Sequence, residues 1–132
     1  MAGLYLDTSA LGRILLAEPD AGAIRAVFAN YDAWWSSELL VVELRRLAVR
    51  EGLLNAAERL LAGVALLPVD GAALQRASRL KPVDVRALDA IHLEAAVTLK
   101  HRGAIGAVLT YDRQLQGGCR HHELLVEAPA EP

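Results

Sequence analysis

Short apolar runs with no polar interruption punctuate this chain, and between them lie longer stretches with helical spacing. Leu4-Tyr5-Leu6, Leu66-Leu67 and Ile105-Gly106-Ala107-Val108-Leu109 carry the pattern most clearly. A strand with one wet face alternates apolar and polar residues. One that is apolar throughout needs cover on both faces, which parallel sheets obtain from crossover helices. The reading that follows is a three-layer α/β/α sandwich with a central parallel sheet of about five strands, a single domain over residues 1–132.

Turn and capping residues set the expected boundaries. Strands are predicted over 3–6, 33–36, 66–69, 105–109 and 124–127. Thr8 and Ser9 start a helix over 9–17 that stops before Pro19, and Asp20 caps one over 21–30. Ser37 opens a helix to Glu51 halted by Gly52, and Asn55 begins another through 62. Asp70 caps a short helix reaching Leu80, while Pro82 and Asp84 mark the start of a long one to Arg102, ended by Gly103. After Asp112 a helical turn is expected to break at Gly117-Gly118, and 128–132 reads as a frayed end.

Composition narrows the class. With 54% hydrophobic and 23% charged residues, the chain has the balance of a compact globular protein. No apolar stretch approaches the ~20 residues needed to cross a bilayer, and Met1-Ala2-Gly3-Leu4 lacks the basic segment of a signal peptide. One cysteine, Cys119, rules out an internal disulfide and fits a reducing compartment, so a cytoplasmic location is expected. A net charge of -2 leaves no global basic field to draw the chain onto nucleic acid. Local clusters remain, Arg45, Arg46 and Arg50 on one segment and Arg76, Arg79, Lys81 and Arg86 on another. They either rim an acidic site and hold a phosphate backbone or lie as solvated helix faces.

Four carboxylates sit where an ordinary soluble fold would not place them. Asp7 ends the first apolar run, Glu43 follows Leu39-Leu40-Val41-Val42, Asp89 lies inside Ala87-Leu88-Asp89-Ala90-Ile91, and Asp112 closes Ala107-Val108-Leu109-Thr110-Tyr111. Ligands of open parallel sheets bind beyond the carboxyl ends of the strands, where strand order reverses. Asp7 follows the first strand and Asp112 the fourth, so both reach that site if those strands are neighbours. Glu43 shares a helix face with Leu39, Leu40 and Leu47, and Asp89 with Val85 and Leu93. Carboxylates brought close together repel unless they take up protons or bind a cation, and hard oxygen donors suit Mg²⁺ or Mn²⁺.

Plainer readings compete. Asp7 has the alternative of capping the first helix, and Asp112 that of a turn or cap. Glu43 has possible partners in Arg46 and Arg86, and Asp89 in Arg86 and His92. Asp20, Asp70 and Asp84 sit at helix starts, Asp32 in a turn, and Glu58 and Glu94 read as solvated. Cys119 with His121 and His122 makes a weak zinc signal, His92 reads as a core or ion-pairing histidine, and of Trp34 and Trp35 one is expected in the core and the other exposed.

Leu6-Asp7-Thr8-Ser9-Ala10-Leu11, Ser37 with Val42-Glu43-Leu44, Leu88-Asp89-Ala90-Ile91-His92-Leu93-Glu94-Ala95-Ala96, and Leu109-Thr110-Tyr111-Asp112 with Leu115 together resemble the PIN-domain ribonucleases, most of all VapC-type toxins of bacterial toxin–antitoxin pairs. The resemblance runs over essentially the whole chain with the motifs in the family's order. It implies that Asp7, Glu43, Asp89 and Asp112 bind Mg²⁺ or Mn²⁺ and cleave RNA. Asp7 and Asp89 would be the core ligands, with Glu43 and Asp112 completing the set directly or through water. Thr110 and Ser9 match supporting hydroxyls, and Arg45, Arg46 and Arg86 are candidates for holding RNA. The resemblance also implies a VapB-type antitoxin as partner and a homodimer, in keeping with apolar surface on the Ala- and Leu-rich helices between 21 and 61. Two rivals stand beside it. A phosphoaspartyl enzyme also places an Asp after the first strand but wants a second Asp where this chain has Ser9, and a degenerate PIN fold would act only as a binding partner.

Overall fold

Every residue of β1 (Gly3–Leu6) is buried, as its unbroken apolar composition requires. β2 (Trp34–Ser37) and β4 (Ile105–Leu109) flank it, β3 (Ala65–Leu67) pairs with β2, and β5 (Leu125–Glu127) with β4, all in parallel. The five strands run β3-β2-β1-β4-β5, so strand order reverses between β1 and β4. Tyr5 lies opposite Val108 and Leu6 opposite Leu109, which sets the two strand ends side by side. The structure is a computed structural model and describes residues 2–130.

Alternate side chains of the central strands serve two cores. Leu4, Leu6, Ala107 and Leu109 pack under α1 (Thr8–Leu15), α2 (Ala21–Phe28), α3 (Leu39–Glu51) and α4 (Leu54–Leu61) through Leu11, Ile24, Leu40, Leu44 and Ala57. On the other face α5 (Gly71–Ser78) lies against α6 (Ala87–His101), followed by α7 (Arg113–His121). Tyr5, Ile105 and Val108 meet Leu93, Ala96, Leu99, Leu115 and Cys119 there. The result is the expected three-layer sandwich, and no described helix is long and apolar enough to cross a membrane.

Several capping expectations hold. Gly52 and Gly103 take left-handed φ values of 70° and 71° where α3 and α6 end, a conformation that costs glycine nothing. Asp70 caps α5 by accepting from Ala73 N at 2.9 Å, and Ser37 Oγ accepts from Leu39 N at 3.2 Å as α3 begins. Asp20 departs from its reading: its carboxylate takes Arg13 at 3.0 Å and makes no cap bond to α2.

The larger departures lie in the second half. α6 starts at Ala87, not at Pro82 or Asp84; Arg86 is its extended N-cap, and Val85 N bonds Pro82 O in a turn. Val85 is therefore off the Asp89 helix, although it still packs against that core. α7 runs straight through Gly117-Gly118 instead of breaking there. A Cβ on Gly118 would stand 2.6 Å from Leu93 Cδ2, so this glycine permits close packing of two helices. β2 is shifted one residue later than expected and β3 ends at Leu67. Trp34 and Trp35 are both half-buried, one against each core, so the expected division into one core and one exposed tryptophan does not occur. The expected frayed end is tied at Pro129, whose carbonyl accepts from Tyr111 OH. Glu131 and Pro132 lie outside the described residues.

Candidate active site

The loop leaving β1 puts Asp7 at the reversal of strand order, where it is 4% exposed. Its Oδ1 accepts from Ala10 N at 3.2 Å and Ser9 Oγ at 2.6 Å, and its Oδ2 from Thr110 Oγ1 at 2.6 Å. The capping role and the site role thus coincide in one residue. A carboxylate has about four lone-pair positions; with Oδ1 accepting two bonds and Oδ2 one, Oδ2 keeps a position open. Burial pushes the Asp7 pKa up, more than nearby His92 and the Ser9 and Thr110 hydroxyls pull it down. The same hydroxyls bind the two strand ends together: Ser9 Oγ accepts from Tyr111 N at 2.9 Å, and Thr110 Oγ1 from Asp112 N at 3.1 Å.

Asp112 caps α7, its Oδ1 accepting from Leu115 N at 3.0 Å, and its charge bears on Asp89. Neighbouring carboxylates repel, and half-buried Asp89 is the one that holds its proton more tightly for it. Burial first, then the charge of Asp112, then the charge of Asp7, raise its pKa to about 6.

Glu43 reaches the cluster from α3. Its Oε1 accepts from Thr8 Oγ1 at 2.7 Å and faces His92 Nε2 at 2.8 Å. Burial by itself would raise its pKa, but His92 and Thr8 outweigh that and hold it below the usual value. Its partner is therefore His92, and neither Arg46 nor Arg86. His92 is buried, with Nδ1 2.7 Å from Tyr5 OH.

The four acids are thus linked through mutual charge and the His92 ring, with Ser9 and Thr110 among them. As the side chains lie, no three of the described Asp, Glu, His or Cys residues close round one point as a finished set of metal ligands would. Their repulsion shows instead at Asp89, which the charges of Asp112 and Asp7 hold toward its protonated form. The donors are oxygen only, repel one another, and keep lone pairs unspent on Asp7, so they fit a hard dication taking that proton's place.

Basic residues border the cluster unevenly. Thr8, Glu43, Arg45, Arg46, Val49 and Arg50 line a groove of about 630 Å³ beside Glu43. Arg45 is engaged with Glu58 through two bonds of 2.7 and 3.0 Å, so Glu58 is exposed but paired. Arg46 is exposed on α3, and Arg86 sits exposed at the start of α6, its backbone N–H donating to Gln114 Oε1 at 3.3 Å.

Other sequence readings change in the folded chain. Glu94, read as solvated, is 4% exposed and accepts from Arg76 at 2.6 Å and Thr98 at 2.7 Å, an ion pair joining α5 to α6. The zinc signal dissolves. Cys119 is buried with its thiol pushed up to about 12, chiefly by burial, and His122 Nε2 lies 2.6 Å from Lys81 O. Thr8 and Tyr5 were missed as site residues. Thr8 carried only its place beside Asp7, and Tyr5 looked like any core aromatic.

A profile of the PIN domain family matches residues 4–117, which includes all four acids. The chain belongs to the PIN-domain family. Three similar relatives, all from Mycobacterium tuberculosis, match this PIN domain over nearly their full length. Ribonuclease VapC47 of strain CDC 1551 / Oshkosh is 35% identical, covering 96% of either chain. Ribonuclease VapC46 of strain ATCC 25618 / H37Rv is 34% identical over 98% of this chain and 100% of its own. Ribonuclease VapC35 is 32% identical over 97% and 98%. The PIN domain described here is thus of the VapC type, and its acid cluster and four of its five strands, β1 to β4, fall in the matched span but for Gly3.

Proposed function

We propose that this PIN domain is a metal-dependent endoribonuclease that cleaves RNA phosphodiester bonds and serves as the toxin of a toxin–antitoxin pair. The observation that carries the reading is buried Asp7 with Asp89 beside it, where the charges of Asp112 and Asp7 drive Asp89 toward its protonated form, a repulsion that added positive charge relieves. The ribonuclease names of the VapC relatives support it. Asp7 and Asp89 would hold Mg²⁺ or Mn²⁺, with Glu43 and Asp112 completing the set. A dication bound there supplies charge to the developing oxyanions and acidifies the attacking water.

The chain's own residues do the rest. Ser9 and Thr110 fix the Asp7 carboxylate in one orientation by spending most of its lone pairs. Asp112 or Glu43 orients the attacking water and takes its proton. Arg46 and Arg86 hold the phosphate backbone, and Arg45 joins them on leaving Glu58. A phosphoaspartyl mechanism is disfavoured because Asp7 is already engaged through both oxygens, one of its donors being Ser9 where such enzymes carry an acid. The proposal places the protein in the cytoplasm as a homodimer with a VapB-type antitoxin.

Expression of wild type, Asp7→Ala and Asp89→Ala in a bacterial host, followed by RNA cleavage with Mg²⁺, Mn²⁺ or EDTA, tests it. Wild type arrests growth and cleaves with metal, and the variants do neither. Growth arrest by all three proteins, or cleavage undiminished by EDTA, refutes the proposal.

A further inference from the structure

Behind Glu43 lies a chain of buried polar groups that the reaction above does not use. Tyr5 is fully buried in β1, and its hydroxyl stands 2.7 Å from His92 Nδ1. The ring of His92, 3% exposed on α6, stands edge-on to Tyr5 with centroids 5.8 Å apart. Its other nitrogen, Nε2, is 2.8 Å from Glu43 Oε1. Three layers of the sandwich, β1, α6 and α3, therefore meet in one line of side chains ending at the acid cluster.

The ends of that line fix its direction. Ionised Glu43 is an acceptor only, so Nε2 of His92 must carry the hydrogen of that bond. Burial keeps the Tyr5 phenol protonated, so it has a hydrogen to donate to Nδ1. In a neutral ring the nitrogen left free is then Nδ1, which accepts from Tyr5 OH. Glu43 Oε1 receives two donors, Thr8 and His92, which leaves Oε2 as the oxygen for a ligand.

We propose that His92, oriented by Tyr5, is a positioning residue that fixes the Glu43 carboxylate for the cleavage reaction. The inference rests on the proposed ribonuclease function. It treats the line as an orienting device, because core packing alone would be met by Phe at position 5 and Leu at position 92. Outer partners that orient ligating side chains change metal affinity or activity by about 10–100-fold when removed.

The test compares Tyr5→Phe, His92→Leu and His92→Gln in wild-type and Glu43→Ala backgrounds, measuring kcat and KM on an RNA oligonucleotide and the thermal midpoint. Nitrogen-15 NMR reads the His92 ring. The expected result is a kcat loss of about 10–100-fold for Tyr5→Phe and His92→Leu with KM nearly unchanged. His92→Gln, which keeps an amide donor, recovers part of that loss, and no variant lowers activity further once Glu43 is Ala. The NMR spectrum shows hydrogen on Nε2, with the Nδ1 signal shifted in Tyr5→Phe. Losses that persist undiminished in the Glu43→Ala background, or a ring protonated on Nδ1 alone, overturn the proposal. If wild type cleaves no RNA, the ribonuclease reading fails, and the ring spectrum still decides whether the line exists.

Discussion

The carboxylate of Asp7 shows how one residue answers two demands. It caps α1 and occupies the reversal of strand order, and neither role excludes the other because a carboxylate has lone pairs for both. Thr110 is the partner whose loss isolates these demands. Thr110→Val removes the donor to Oδ2 and leaves a buried acceptor unpaired, which costs about 1–3 kcal/mol. The thermal midpoint is expected to fall accordingly, and RNA cleavage to drop about 10–100-fold as Asp7 loses its fixed orientation. At Asp89 the sign reverses. At pH 7.5, where Asp89 has lost its proton, Asp89→Asn removes a charge that Asp112 and Asp7 repel, so metal-free protein is expected to melt about 2–6 °C higher while cleavage falls more than about 100-fold. Calorimetry beside an activity assay checks both, and a lower melting temperature for Asp89→Asn would contradict the repulsion.

Among the helices, α7 separates local chemistry from packing most clearly. A glycine pair reads as a helix breaker because glycine loses the most backbone freedom on folding. Gly117 faces open space and Gly118 faces Leu93, so their alanine variants are expected to diverge. Gly117→Ala stabilises by about 0.5–1 kcal/mol through helix propensity. Gly118→Ala costs about 1–3 kcal/mol, because the new methyl group forces α7 off α6. Urea denaturation of the two variants measures the difference. The start of α6 teaches the same lesson. Pro82 and Asp84 are ordinary helix-start residues, yet the chain turns at Val85 and waits until Arg86 to enter the helix. That delay leaves Asp89 in the first turn of α6, where the partial positive charge of the helix end favours an anion.

At the scale of the molecule, the acid cluster ties stability to pH and metal. Asp89 has a folded-state pKa of about 6 against an ordinary 3.8, so the folded chain holds its proton more tightly than the unfolded one. Its contribution is therefore present at low pH and lost as pH rises from about 4 to about 6; buried Asp7 acts in the same direction. Glu43, held low by His92 and Thr8, acts oppositely, losing its contribution as pH falls below its ordinary 4.5. At the proposed metal site, Mg²⁺ would compete with the Asp89 proton. Saturating magnesium is expected to raise the melting temperature little at pH 5 and clearly at pH 7.5, where ligand at 100 times its Kd adds about 2.7 kcal/mol. Thermal melts with Mg²⁺ or EDTA at the two pH values check this, and an equal gain at both would break the link between proton and metal.

What the amino-acid order determined by itself was the architecture. Unbroken apolar runs at Leu4-Tyr5-Leu6 and 105–109 have no stable place except inside a sheet covered on both faces. Asp7 and Asp112 at the ends of such runs are the polar residues that most need an explanation. The tertiary structure alone decided who faces whom. Glu43 found His92 where Arg46 or Arg86 was equally open to it, Glu94 went inside to meet Arg76, and Tyr5 became part of the site and not merely of the core. Those pairings join residues far apart in the chain, and local spacing holds no record of them, because they depend on how layers built by separate segments come to rest on one another.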